Sequence, residues 1–499
     1  MKKFLTDTHL ILIIILLASI LRFWHLGNFP PSLFVDELSN GYNAYSILKT
    51  GRDEYGNFLP LTFKSFGDYN PALSVYTLVP AISILGLNDY AVRAPAALFG
   101  VGSVIGVYFL TYEIFKRRKV ALFSAFLLSI SPWHLQFSRY DHEATFMVFY
   151  TTLALVAFFN WLNKTTRAAP LVISSIFFGL ALNSYHGAKV YVPLLILVLA
   201  VVFKRHLFTK AQKLALPLIT LFIFTIPYLV NFENTLIRGQ SVGILKESAP
   251  VATFISGYLS HFSPNFLFIS GDSIGRHSVP GMGQLYVFML PLLVIGLFKL
   301  IVEKKERSKF LIMWLLVTPI AAAVASPVPH ALRSLPMGTV IVIISALGLY
   351  SLSRINSKLK TIGLLILASI AFYNIFTYLH LYYIHYPKEK SLDWSYGYKE
   401  VATYVNNVQN NYSQVAIGDD SKKSYIAFLF YTKFDPSLYQ PQSSNKAAFD
   451  KFEFFGPSWS KTKQGKALIV TPFWQAHPPE VLKNVYLPNG DLRFLISTE

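Results

Sequence analysis

Two short acidic segments hold the residue types and spacings best suited to chemistry in this chain. The first is Phe34-Val35-Asp36-Glu37, which follows Pro30-Pro31 just beyond the first apolar run. Carboxylates beside a membrane are costly unless paired or used. Asp36 and Glu37 therefore either act on a substrate or cap a helix from Ser39 to Lys49, where acids suit the N-terminal end of the dipole. Asp53, Glu54 and Asp68 in the same loop read as ordinary solvated charges.

The second segment is Ser138-Arg139-Tyr140-Asp141-His142-Glu143, at the junction of two apolar runs. Arg139 either pairs with Asp141 or Glu143 and anchors helix ends at headgroup level, or a carboxylate here faces Asp36. The latter arrangement, with His142 joining, would suit an acceptor clamp or a divalent metal ion, since hard cations want oxygen ligands. No His-x-x-x-His spacing supports a metal, so no cofactor follows from the spacing, and a divalent metal ion is the one candidate. Cations also recur in pairs, as His186 with Lys189, Arg276 with His277, and His330 with Arg333. Each pair is either a solvated or snorkelling surface group or part of a cradle for a lipid phosphate. Asp272 after Gly271 is a turn residue by type, with a place in the site as the alternative.

The elements that position these residues are membrane helices. Of the 499 residues 53% are hydrophobic and only 14% charged, far more apolar surface than one soluble core can hide. The net charge of +18 would suit nucleic acid, but the basic residues cluster between apolar runs. Such clusters orient helices, with the basic loops inside. Nucleic acid is therefore not an expected partner. The chain has no cysteine, which excludes disulfides and thiolate catalysis. The first apolar run continues into Arg22-Phe-Trp-His without a small-residue cleavage site and is read as a retained span.

Placing Lys116 to Lys119, Lys164 with Arg167, Lys204 to Lys213, Lys304 to Lys309 and Arg354 to Lys360 on one side requires that Pro71 to Leu87 not cross. That run is short, contains Pro80 and is flanked by polar residues, so it is expected to lie along the interface. The expected fold is an α-helical polytopic membrane protein of about 11 transmembrane helices. The expected spans are residues 8–25, 91–115, 120–137, 144–162, 168–185, 189–203, 214–231, 284–301, 310–325, 337–352 and 361–384. Outside then lie a first loop over 26–90, the acidic segments, a loop over 232–283 and the tail. Residues 1–385 form the transmembrane domain and 386–499 a small extracytoplasmic α/β domain. In that tail, Tyr398 to Gln409 has helical spacing, Gln414 to Ile417 and Ala467 to Thr471 read as strands, and Ser424 to Phe430 as helix or strand. Asn489-Gly490 signals a hairpin. No internal repeat is evident, which weighs against transporter folds built from duplicated halves.

In order, the segments FPPSLFVDELSNGYNAYSILKTGRDEYG, FGDYNPALSVYT, NDYAVRAPAALFG, SPWHLQFSRYDHEATF, SYHGAKVYVPLL, FLFISGDSIGRH and PVPHALRSLP resemble the GT-C superfamily of membrane glycosyltransferases. The resemblance lies with the branch that includes protein O-mannosyltransferases and aminoarabinose transferases. It covers most of the membrane part and little of the tail. It implies a multi-pass membrane transferase using a polyprenyl-phosphate-linked sugar donor, with an acceptor protein, lipid or glycan on the outer face, and the lack of cysteine and compact inner loops fit a prokaryotic plasma membrane. The Asp of the first-loop pair maps onto Asp36 as base, with Glu37 beside it. The later acid maps onto Glu143, with Asp141 and His142 just before it. Arg139, Lys189, Arg276, His330 and Arg333 are then the candidates for the donor phosphate, and His186, Asp272 and His277 possible additions. A transporter or flippase of lipid-linked sugars is the alternative. A scaffold whose tail binds partners is a third.

Overall fold

The computed structural model describes all residues except 1, 165–166, 210–212, 231, 233–242, 245–246, 356–357, 419–422, 445–447, 457–463 and 474–479. In chain order the first helices are α1 (Lys2–Phe23), α2 (Val35–Thr50), α3 (Ala72–Leu85), α4 (Asp89–Phe115), α5 (Arg118–Ile130), α6 (Pro132–Phe137), α7 (Glu143–Lys164), α8 (Ala169–Leu182) and α9 (Ala188–Val202). Among the described residues four helices are long and apolar enough to cross a bilayer, at Asp89–Phe115, Glu143–Asn163, Leu335–Ser353 and Lys360–Glu389. The expected loop over 232–283 carries a helix at Pro250–Ser260, although part of that stretch lies outside the described residues.

Proline divides two of the expected spans. The run 120–137 is two helices, because Pro132 has no N–H to continue α5 and instead opens α6. The run 310–325 stops at Val317, and Pro319 precedes a short turn of helix at Ile320–Ala323. The run expected from 284 becomes helical only at Met289.

Backbone contacts gather the chain into two compact units. The first comprises Met1–Trp24, Asp68–Leu73 and Ala96–Leu381. Helices in lipid gain little from hydrophobic association, so close packing relies on small residues that let backbones approach. A Cβ on Gly296 would lie 2.0 Å from the Ile344 carbonyl oxygen, and one on Gly348 would lie 1.9 Å from that of Leu292. These two glycines let the helices Met289–Glu303 and Leu335–Ser353 touch along their backbones. Two buried arginines close helix ends in the same unit. Arg22 donates to the Ser129 and Leu128 carbonyls at the end of α5, at 3.1 and 3.3 Å. Arg139 donates to the carbonyls of Leu21, Arg22 and Trp24 at the end of α1, at 2.7, 3.1 and 2.7 Å.

The second unit comprises His25–Gly67, Ser74–Pro95 and Tyr382–Glu499. In it α2 packs on the helix Tyr425–Tyr431, closely enough that a Cβ on Gly41 would meet the Phe430 ring at 2.7 Å. Its short strand β1 (Thr62–Ser65) precedes the strands of the tail in sequence, as does β2 (Asp68–Pro71) of the first unit. The tail strands are β3 (Gln414–Gly418), β4 (Ala448–Phe449), β5 (Phe452–Phe455), β6 (Ala467–Pro472), β7 (Val481–Tyr486) and β8 (Leu492–Thr498). They form one sheet in the order β4-β5-β3-β6-β8-β7. The central strands β3 and β6 pair in parallel and are buried along their whole length, as a strand covered on both faces must be. The hairpin β7-β8 turns at Asn489-Gly490, where Gly490 has φ +93°. Tyr398–Val408 is an amphipathic helix that buries Val401, Ala402 and Val405. Of the run Ser424 to Phe430, Ser424 is the N-cap residue and the rest lies in the helix Tyr425–Tyr431.

Candidate active site

Asp36 and Glu37 occupy the first turn of α2, in the second unit. The Glu37 carboxylate accepts the Phe34 N–H at 3.0 Å, which satisfies one of the open donors at the helix start. Its other oxygen takes the Arg93 Nε–H at 3.0 Å, in an ion pair that is 0% and 1% exposed. Arg93 also donates to the carbonyls of Leu26, Pro30 and Ser32, at 3.2, 2.8 and 2.5 Å. One guanidinium thus ties the entry of the first loop to the start of α2. Glu37 is held in a structural pair, and Asp36 is the half-buried carboxylate beside it.

The expectation that Asp53 and Glu54 are solvated fails, since both are buried. Asp53 accepts the N–H groups of Tyr55 and Asn57 at 2.9 and 2.8 Å, so it closes a turn. Glu54 receives the Tyr425 hydroxyl at 3.3 Å.

The first unit brings together most of the other candidates. Glu143 opens α7, and its carboxylate lies 3.1 Å from His142 Nδ1. Asp141 is buried in the same turn. The His142 ring packs edge-on to Tyr185 at 5.8 Å. The Tyr185 hydroxyl bonds Arg333, whose guanidinium also donates to the Ala325 and Ser326 carbonyls at 2.7 and 3.1 Å. His330 lies beside His277, with ring centroids 4.7 Å apart. His186 donates Nε2–H to the Tyr69 carbonyl at 2.7 Å, while its buried Nδ1 has no hydrogen-bond partner among the described residues. Burial, with help from Lys189, pushes His186 down to about 4. Lys189 is half-buried, with Nζ 5.1 Å from the Tyr228 ring centre. Arg139 serves instead as the cap of α1 described above.

Asp272 is both turn residue and cluster member. Its Oδ1 accepts the Ile274 N–H at 2.9 Å, and its Oδ2 meets His277 Nδ1 at 2.9 Å and the Ala331 N–H at 2.7 Å. Burial raises its carboxyl, but those hydrogen bonds outweigh it and hold the group below its usual range. His277 is lowered by burial against the pull of Asp272. His330 is lowered strongly by burial and then by His277, Arg333, His142 and His261. Both imidazoles are therefore neutral near pH 7, with lone pairs to offer.

Asp272, His277 and His330 are all buried, and their ligand atoms lie within 4.8 Å of one another. One carboxylate and two neutral imidazoles suit zinc or a similar divalent ion. His261 supports the group, donating Nδ1–H to the Gly257 carbonyl and accepting the His330 N–H at 3.0 Å.

Three residues of these networks were not flagged by sequence: Arg93, Tyr185 and His261. An arginine inside an apolar helix was the available signal for Arg93. Tyr185 and His261 carry no local signal.

The family model for dolichyl-phosphate-mannose-protein mannosyltransferase matches residues 12–236. Dolichyl-phosphooligosaccharide-protein glycotransferase 3 of Archaeoglobus fulgidus is 27% identical over 281 residues, covering 50% of this chain and 32% of that protein. The chain spans about a third or less of the length of the curated relatives it matches. Among solved structures, ArnT from Cupriavidus metallidurans bound to undecaprenyl phosphate superimposes with a TM-score of 0.60 at 12% identity, covering 98% of each chain. The archaeal oligosaccharyltransferase AglB from Archaeoglobus fulgidus, with an inhibitory peptide and a dolichol-phosphate, gives 0.53 at 15% identity over 86% of this chain and 64% of that one. At such identities the likeness is one of fold.

Proposed function

We propose that the chain, whose residues 12–236 match the dolichyl-phosphate-mannose-protein mannosyltransferase model and whose fold is that of the polyprenyl-phosphate-binding structures above, moves a sugar from a polyprenyl-phosphate carrier to a hydroxyl or amine of an acceptor protein, lipid or glycan. The observation that carries this reading is the convergence of Glu143, His142, Tyr185, Arg333, His330, His277 and Asp272 in one polar cluster of a helical unit.

A polyprenyl phosphate departs as an anion, so its departure needs positive charge and hydrogen-bond donors more than a general acid. Arg333, Arg276 and Lys189 supply that charge, and the Tyr185 hydroxyl and the neutral imidazole of His330 orient it. The bond between the anomeric carbon and the phosphate oxygen breaks as the acceptor atom bonds from the opposite face, which inverts the anomeric centre. The acceptor proton passes to the Asp36 carboxylate. Glu37 is a positioning residue, because Arg93 engages its carboxylate. Glu143, at the positive end of α7, is the second acid and orients the acceptor.

Asp272, His277 and His330 would hold a divalent ion, which when bound supplies a Lewis-acidic charge to an anionic oxygen. Eleven crossings, with the chemistry and residues 386–499 outside the plasma membrane, are supported by the one-sided basic clusters. Residues 1–385 then form the membrane domain, and α3, with Pro80 in its middle, lies along the interface.

The test is incubation of purified protein with a panel of polyprenyl-phosphate sugars, reading release of free polyprenyl phosphate. One member of the panel should be consumed. A flippase would move labelled lipid across a vesicle without releasing the phosphate, and that outcome would replace this reading.

A further inference from the structure

A cleft of about 660 Å³ opens in the first unit, and none of the acidic-segment residues lines it. Its walls come from the end of α4 (Ile114, Phe115), the turn after it, the ends of the helices Met289–Glu303 and Leu335–Ser353, and the start of the helix Glu306–Val317. These helix ends carry the basic loops.

Five cations line it, Arg117, Lys299, Lys305, Arg307 and Arg354, against two acids, Glu303 and Glu306. Glu303 is shared between Lys299 at 3.7 Å and Lys305 at 3.6 Å, which leaves the lining with an excess of positive charge. Two of the cations build the cleft. Arg307 donates to the Ile114 carbonyl at 2.6 Å and bonds Asn163, so it fixes the floor. Arg117 donates to the Tyr350 hydroxyl at 2.7 Å and lies over that ring, so it fixes a wall. Lys305 and Arg354 are exposed at the rim.

We propose that this cleft binds the phosphate headgroup of an anionic membrane lipid. Clustered basic residues at helix ends attract phosphate, and a basic pocket between membrane helices at headgroup depth is suited to a lipid head. The argument for a lipid over a free anion is the adjoining surface. On the helix that supplies Lys299 and Glu303, Phe298, Ile301 and Val302 are 68%, 59% and 57% exposed, which gives an acyl chain an apolar track beside the headgroup. Ile114, Phe115 and Leu347 make part of the cleft itself apolar.

The experiment uses the full chain in detergent with dioleoyl-phosphatidylglycerol, dioleoyl-phosphatidylcholine or inorganic phosphate. Bound lipid is read by native mass spectrometry and the melting midpoint in parallel. Phosphatidylglycerol should be retained and raise the midpoint, while phosphatidylcholine does neither. The double variant Lys305→Gln/Arg354→Gln changes only exposed side chains and should fold. It should hold phosphatidylglycerol about thirtyfold less tightly, from about fivefold per basic residue at an anionic surface. Equal retention of the two lipids, or parental retention by the double variant, would overturn the proposal. Stabilisation by inorganic phosphate equal to that by phosphatidylglycerol would overturn the lipid assignment in favour of a soluble anion.

Discussion

Arg93 Nε lies 3.0 Å from Glu37 Oε1, with both side chains withdrawn from solvent, and the same guanidinium holds three carbonyls of the chain entering the first loop. The acid next to the proposed base is thereby an anchor. Asp36 takes its place from this pair.

Breaking that pair on one side strands a buried charge. Glu37→Ala and Arg93→Ala should each cost about 3–5 kcal/mol, read as a large fall in the melting midpoint in detergent. The double variant should lose less than the two single losses added. Additive losses would show that the pair is not a coupled unit.

The contact of helices Met289–Glu303 and Leu335–Ser353 depends on glycine. Gly296→Ala and Gly348→Ala each set a methyl about 2 Å from a backbone oxygen, so the helices must separate at a cost of about 1–3 kcal/mol. Gly363→Ala, inside the helix Lys358–His380 where a Cβ would meet nothing within 4 Å, should instead stabilise by up to about 1 kcal/mol. The three midpoints, measured side by side, check this.

The Asp272, His277 and His330 group should bind zinc. Protein equilibrated with zinc and desalted should retain the metal by elemental analysis, and His330→Gln and Asp272→Asn should lose most of it. Chelation should lower the melting midpoint of the parent and not of either variant. Parental protein without zinc after this treatment would remove the metal from the account.

His186 gives a pH signature. Its folded value is about 4, below the ordinary value of 6.5. Between these the unfolded chain binds the proton more readily, so stability is fully present above 6.5 and lost as pH falls towards 4. His186→Gln should flatten that part of the stability profile. An unchanged slope would show that other groups set it.

Much of the architecture was legible in the sequence because it is local. The amphipathic helix at Tyr398–Val408, the buried strands β3 and β6 and the turn at Asn489-Gly490 each carry their signal within a few residues. The breaks at Pro132 and Pro319 were equally local, and hydropathy averaged across them. What sequence hid depends on distant partners. Asp272 and His330 come together only through the fold, so no His spacing announced them. Arg139 is near acids in sequence, yet its guanidinium serves the carbonyls of α1. Asp53 has the composition of a solvated loop, and its burial follows from the turn it closes.

The central claim is that Asp36 takes the acceptor proton. Asp36→Asn removes the base while keeping the size of the side chain. In protein reconstituted with its polyprenyl-phosphate sugar donor, the variant should keep the parental melting midpoint and donor binding. Its transfer rate should fall by about 10²–10⁴-fold, the usual worth of a general base. A well-folded Asp36→Asn protein that transfers sugar at the parental rate would contradict the account.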